Sequence, residues 1–331
     1  MSIRRFSPLR RSTLMLAAAG VLCAATGPVM ASSYPDRPVN LIASAAPGGT
    51  TDIAARMIAD PLGKALGQTV VVDNKPGASG AIAAQSVLRS PADGYTLLLQ
   101  YSGFQVITPH VQTNVGFDPV ADFAPVANVL SAPQVIVVRP DLPINSLKDL
   151  VEYAKANPDK LNYASSGNGS LQHMATELLN QMADIKTVHI PYKGTGPALT
   201  DLLGGSVDMT ITTPPPLLPH IQAGKLRALA VTGNKRLESL PDVPTVAEAG
   251  FPDLQISSWF AMYAPKDTPR AVVDKLAGEI EQIMKTDAFR EKAASLGADA
   301  DFKGPDALRA YTQEELDRWG KVVKAANITA Q

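Results

Sequence analysis

Cysteine is almost missing from this sequence: Cys23 is the only one in 331 residues, and just 5% of the chain is aromatic. One thiol excludes an internal disulfide. An excess of either charge is missing as well, with 30 Lys and Arg against 31 Asp and Glu. A near-neutral chain lacks the basic surface that phosphates require, so no nucleic acid is expected as a partner. The apolar run at residues 13–27 is below the ~20 residues a spanning helix needs, and no later run reaches that length. No Gly-x-x-x-x-Gly-Lys-Ser/Thr loop is present, nor a Gly-x-Gly-x-x-Gly turn after a strand, which disfavours nucleotides. His-Glu-x-x-His and Gly-x-Ser-x-Gly are absent too. His110, His173, His189 and His220 are scattered without metal-ligand spacing. No catalytic residue, metal or cofactor is expected.

What is present begins with an address. Arg4, Arg5, Arg10 and Arg11 precede the apolar run, and Val29-Met30-Ala31 ends it with a small residue. A basic segment, a short apolar segment and a small-residue cleavage site read as a secretory signal over residues 1–31. Its removal takes Cys23 and four arginines, moving the formal charge from −1 to −5. The mature chain is then expected to be exported, soluble and free of disulfides.

Beyond the signal, short β-rich runs alternate with helical periodicity. Residues 39–42, 69–72, 95–99, 161–164, 188–191, 207–211 and 226–232 read as strands. Between them, residues such as Ile53, Met57, Ile58 and Leu62 fall at helical spacing, with Pro61 expected to kink that helix. Ser146-Leu147-Lys148-Asp149 reads as a capping box, and Thr268-Pro269 as a cap followed by proline at the first helical position. A last helix is expected over residues 305–325. The alternation predicts an α/β fold with parallel or mixed sheets flanked by helices. Extended stretches at residues 126–139 and 254–265 read as crossings between two lobes, a discontinuous first lobe of residues 32–130 and 258–331 and a second of residues 131–257. No internal sequence repeat is evident.

Three glycine-rich turns each join a strand to a helix. They are Ala45-Ala46-Pro47-Gly48-Gly49-Thr50-Thr51, Ser165-Ser166-Gly167-Asn168-Gly169-Ser170 and Lys193-Gly194-Thr195-Gly196-Pro197. Amides at such helix N-termini point from the carboxyl ends of strands, where α/β folds hold ligands, and they favour anions. His173 beside the second turn either donates to a ligand or caps local backbone. Three charge-assisted hydrogen bonds to one carboxylate give about 5–9 kcal/mol. Micromolar binding needs about 8 kcal/mol net, after association costs of at least ~4 kcal/mol. A second anchor or a buried ligand body is therefore expected.

Tyr34-Pro35-x-x-Pro38, residues 46–52, Asn74-Lys75-Pro76-Gly77-Ala78 and Asp93-Gly94-Tyr95-Thr96-Leu97-Leu98 follow one family's pattern. So do residues 162–167, Tyr192-Lys193-Gly194, Leu202-Leu203-Gly204-Gly205, residues 226–232 and Pro241-Asp242-Val243-Pro244-Thr245. Together they resemble the Bug family, extracytoplasmic solute receptors of tripartite tricarboxylate transporters. The resemblance implies a two-lobed periplasmic binding protein, acting as a monomer, that closes on a small carboxylate. It also implies delivery to one large and one small membrane subunit. By position, ligand contacts would come from Ser44, Ala45, Ala46, Gly48, Gly49 and Thr50 of the first turn. Ser165, Ser166, Gly167, Gly169, Ser170 and His173 would follow from the second, and Tyr192 and Thr195 from the third. Phe104, Gln105, Thr212 and Thr213 would complete the set.

Two departures from the family pattern bear on the solute. Ile211-Thr212-Thr213 stands where many relatives have Phe-Asp-Asn, and threonine supplies no charge for an ammonium. Phe104-Gln105 replaces Thr-His, placing either a ring at the cleft or a ring in the core. The expected solute is a non-amino dicarboxylate, with an aromatic diacid such as terephthalate the sharper expectation. The same fold also allows a ligand-loaded messenger for a membrane sensor kinase, or a periplasmic hydrolase or lyase.

Overall fold

The computed structural model describes Met1, residues 34–112 and residues 114–325. The expected secretory signal therefore lies outside the described residues apart from Met1. The apolar segment Val-Asn-Leu-Ile-Ala forms β1 (Val39–Ala43), buried at every position except Asn40. Such a strand suits the middle of a sheet covered on both faces. Helix α1 (Thr50–Leu66) runs uninterrupted through Pro61 and ends on Gly67 in the left-handed conformation. Then come β2 (Val70–Asn74), α2 (Ala81–Leu88), β3 (Thr96–Tyr101), the short α3 (Thr108–Val111) and β4 (Phe123–Pro133).

After Gln134 the chain enters a second sheet. Its elements are β5 (Val135–Val138), α4 (Leu147–Ala156), β6 (Asn162–Ser165), α5 (Leu171–Ala183) and β7 (Val188–Pro191). They are followed by α6 (Thr195–Leu203), β8 (Met209–Thr212), α7 (Leu218–Gln222) and β9 (Arg227–Val231). The chain returns through β10 (Ser257–Pro265) and finishes in α8 (Arg270–Lys285), α9 (Asp287–Ser295) and α10 (Pro305–Ala325).

The strand orders are β2-β1-β3-β10-β4 and β7-β6-β8-β5-β9. In each sheet the first three strands are mutually parallel, and the last two ladders are antiparallel. The architecture is thus a two-lobed α/β fold with two mixed sheets flanked by helices. The two sheets also repeat one topology: β1, β2, β3 and β4 take the places of β6, β7, β8 and β9. In each, the inserted antiparallel strand, β10 or β5, adjoins a crossing. The repeat lies in connectivity, which is why no repeat is evident in the residues themselves.

The crossings meet at one polar knot. Gln134 N–H donates to Thr232 Oγ1 at 2.8 Å, and Gln134 Nε2 donates to Ser258 Oγ at 2.7 Å. The first sheet keeps β4 through Pro133 and regains the chain at Ser257.

Two local expectations change in detail. Ser146 does cap α4, accepting from Asp149 N–H, but the Asp149 carboxylate answers to Asn145 N–H. Helix α8 begins at Arg270, with Pro269 as its cap residue at ψ 133°. Pro269 is extended and so lies outside the helix, and the buried Thr268 Oγ1 has no partner.

Candidate functional site

The carboxyl ends of β1, β2 and β3 face those of β6, β7 and β8, and each is followed by a turn that faces the other lobe. A narrow cavity lies between them. Its polar wall has Gly49, Thr50 and Thr51 from α1, Gln172 from α5, and Thr195 from α6, with Ser166 and Thr213 beside them. Its apolar wall has Ala45, Tyr101, Phe104 and Phe260. None of these lining side chains is charged.

Three helix N-termini therefore converge on one space. In α1 the first intrahelical bond is Ile53 N–H to Gly49 O at 3.0 Å, so the amides of Thr50, Thr51 and Asp52 precede the ladder and carry the positive end of the helix dipole. The turn before them is braced. Asp52, in the first turn of α1, accepts from Gly48 N–H at 3.1 Å and pairs with Arg56 at 3.0 Å. Asn74 Nδ2 donates to Ala45 O at 2.9 Å.

The lobes approach so closely that Gly196 has no room for a side chain: a Cβ there would collide with the Pro47 carbonyl oxygen. Cross-lobe bonds hold this seam. Ala46 N–H donates to Lys193 O at 3.3 Å, and Ser79 Oγ donates to Asn168 O at 2.7 Å.

The apolar wall is a ring cluster. Tyr101 meets Phe104 edge-on at 5.2 Å and stacks on Phe260 at 5.6 Å. Burial pushes the Tyr101 phenol above its ordinary range, an effect opposed by neighbouring Ser258 and Leu171.

Behind the second turn lies a stack of Tyr163, His189 and His173. The imidazoles are 4.1 Å apart and within 8° of parallel. His173 Nδ1 accepts from Gly169 N–H at 3.2 Å, which places its proton on Nε2. His173 thus braces the backbone of the second turn through Nδ1. His189 Nε2 lies 2.6 Å from Ser165 Oγ. Burial, and then the adjacent His173, push His189 down to about 3. Burial also lowers His173, against the raising effect of Glu177. Burial and the Tyr163–Glu177 bond of 2.6 Å hold that phenol far above its usual range.

Of the residues singled out from sequence, Ala45, Gly49, Thr50, Phe104, Ser166, Thr195 and Thr213 line this cavity. Ser44, Gly167 and Tyr192 line an adjoining cavity together with Lys193, and it shares Phe104 and Ser166 with the first. The Tyr192 hydroxyl donates to Asp201 at 2.6 Å, and burial with Asp201 pushes it up to about 12. Ala46, Gly48, Ser165, Gly169, Ser170 and His173 shape the turns through bonds within the protein. Thr212 accepts from Gln172 behind the wall. Gln105 lines neither cavity: its amide donates to Pro119 O at 2.7 Å. The wide π-type turn Gly103–Ile107 sends it away from neighbouring Phe104.

Sequence reasoning missed Gln172, Tyr101, Phe260 and residues 77–80. The last group had a signal, because the turn from β2 to α2 is the topological counterpart of the turn from β7 to α6. It lines the second cavity with Ala78 and Ser79 at φ 44° and 47°, a conformation that non-glycine residues rarely hold and that gathers at binding sites.

A two-lobed α/β scaffold whose facing turns wall a cavity with hydroxyls and helix N-termini is the form of a solute-binding protein. The chain belongs to the family described as tripartite tricarboxylate transporter family receptor, whose pattern it matches over residues 54–328. It is similar to the solved periplasmic binding protein BugD, at 39% identity and a TM-score of 0.86, covering 90% of this chain and 100% of that one. It is also similar to Rpa4515 of R. palustris, solved with adipate, at 38% identity and a TM-score of 0.87, covering 89% and 99%. MatC of Rhodopseudomonas palustris, solved with bound malate, matches at 32% identity and a TM-score of 0.84, covering 88% and 100%. The protein is a solute-binding receptor of this family and not an enzyme.

Proposed function

We propose that this receptor captures a non-amino dicarboxylate between its lobes in the periplasm and hands it, chemically unchanged, to one large and one small membrane subunit. The observation that carries the reading is the composition of the cavity wall. Hydroxyls and helix N-terminal amides gather at one end, aromatic rings at the other, and no ammonium, guanidinium or carboxylate is among them. Such a wall favours an anion without a fixed counter-ion and gives an ammonium no charge partner. The adipate and malate of two relatives are both dicarboxylates without an amine.

The lobes that close are the two sheets with their flanking helices, joined by the crossings at Gln134 and Ser257, in a monomer. Tyr101, Phe104 and Phe260 cover the carbon body, so a flat diacid such as terephthalate is the sharper candidate.

A thermal-shift panel tests this. At a concentration a hundredfold above Kd, a bound diacid adds about 2.7 kcal/mol, or roughly 4 °C for a chain of this size. Terephthalate, adipate or malate should raise the melting temperature while glutamate and aspartate leave it unmoved. Stabilisation by the amino acids alone would overturn the reading.

A further inference from the structure

Gln172 is 4% exposed and lines the cavity from the first turn of α5. A primary amide has two N–H donors and two acceptor lone pairs, and this one has a protein partner for each. Oε1 accepts from Ser166 Oγ at 2.6 Å and from Tyr101 Oη at 3.2 Å. Nε2 donates to Thr212 Oγ1 at 3.0 Å and to Thr195 Oγ1 at 3.2 Å.

This arrangement sorts the surrounding hydroxyls. Ser166 and Tyr101 commit their protons to Gln172. Thr195 and Thr212 each receive one and keep their own to donate. Their oxygens are 3.4 Å apart, and either can donate to the other. In the sense in which Thr212 donates, both lone pairs of Thr195 Oγ1 are engaged and its own O–H is left for the cavity it lines.

We propose that Gln172 is the specificity-determining residue of the cleft: its amide fixes the Thr195 hydroxyl as a donor toward the solute, and so selects a carboxylate oxygen over a protonated amine. A carboxylate is acceptor-only and an ammonium donor-only, so the directed O–H complements the first and opposes the second. The inference rests on the carboxylate reading above and deepens it, since it assigns the discrimination against amines to one side chain.

Calorimetric titration of the mature protein with adipate and with 2-aminoadipate, which differ by one amine, tests it. Wild type should bind adipate more tightly. Gln172→Met keeps the length and neutrality of the side chain but directs no hydroxyl, and the preference for adipate should fall about tenfold. Gln172→Glu would accept from all four hydroxyls and add a negative charge, so adipate affinity should fall by about a hundredfold or more. Thr195→Val removes the directed proton in a side chain of equal shape and should likewise cut the preference about tenfold. Melting curves establish that each variant is folded. Folded Gln172→Met and Thr195→Val that both keep the wild-type preference overturn the assignment. Failure of wild type to bind adipate or terephthalate is a separate result: it overturns the carboxylate reading, and the assignment with it.

Discussion

Thr50 Oγ1 lies 2.5 Å from Thr213 Oγ1, a bond between the first turn of α1 and the end of β8 that joins the two lobes at the cavity wall. Both side chains are buried. One hydroxyl donates and the other accepts, so one proton remains to be given to a solute. Thr50 also starts a helix whose first amides face the same space. The contact thus belongs both to closure and to recognition.

Thr50→Val and Thr213→Val each delete one partner of this bond without changing side-chain shape. Each should weaken diacid binding by about 1–2 kcal/mol, roughly five- to thirtyfold, as read by calorimetry. The change in unliganded stability should be about 1 kcal/mol in either variant. A variant that binds as tightly as wild type would show that the seam takes no part in recognition.

Gly196→Ala tests closure itself. Because the added Cβ would strike the Pro47 carbonyl oxygen, and a backbone atom cannot swing aside as a side chain can, the lobes should stop short of the geometry described. Small-angle scattering with saturating diacid should show a contraction in wild type and a smaller one in the variant. Affinity should drop about tenfold or more as the wall is left incomplete. Equal contraction in both proteins would contradict the seam.

The stacked histidines predict acid sensitivity. His189 is held neutral with its pKa pushed down to about 3, against about 6.5 in an unfolded chain. Below about pH 6.5 the unfolded chain binds a proton that the folded protein refuses, so stability is fully present above that pH and is lost as the pH falls toward 3. The lowered His173 adds a contribution of the same sign. The slope should stay below the ~1.4 kcal/mol per pH unit of one fully coupled proton, since the ring is partly exposed and screened. His189→Gln should flatten the fall in melting temperature between pH 6.5 and 4. An unchanged profile would remove His189 as the cause.

Phe104 separates flat from flexible solutes. Phe104→Leu keeps an apolar residue at a position only 2% exposed, and it should cost stability on the order of 1 kcal/mol. It removes an aromatic face worth about 0.5–1.5 kcal/mol against another ring. Terephthalate affinity should therefore fall severalfold while adipate affinity holds. A parallel loss for both acids would make Phe104 a packing residue only.

Much of this fold was legible because its signals are local. The helix from Pro305 to Ala325 follows the expected bounds, since apolar spacing and flanking glycine or proline act within a few residues. The three glycine-rich turns were legible for the same reason. Tyr101 and Phe260 were not. They become neighbours only because β10 returns from the far end of the chain to lie between β3 and β4, a pairing no local pattern encodes. Gln172 was hidden differently: an amide early in a helix looks like a surface residue until hydroxyls from β3, β6, α6 and β8 are gathered around it. Phe104 and Gln105 were read as a pair, and the π-type turn separates them by sending Gln105 toward Pro119.

Native mass spectrometry of the receptor freshly isolated from the periplasm bears most directly on the idea of a cleft that carries an intact dicarboxylate. The account predicts a one-to-one adduct whose mass, after release by denaturation, is that of an unmodified diacid lacking nitrogen, and its depletion in Gly196→Ala. An adduct identified as an amino acid, or a solute that emerges chemically altered, would contradict it.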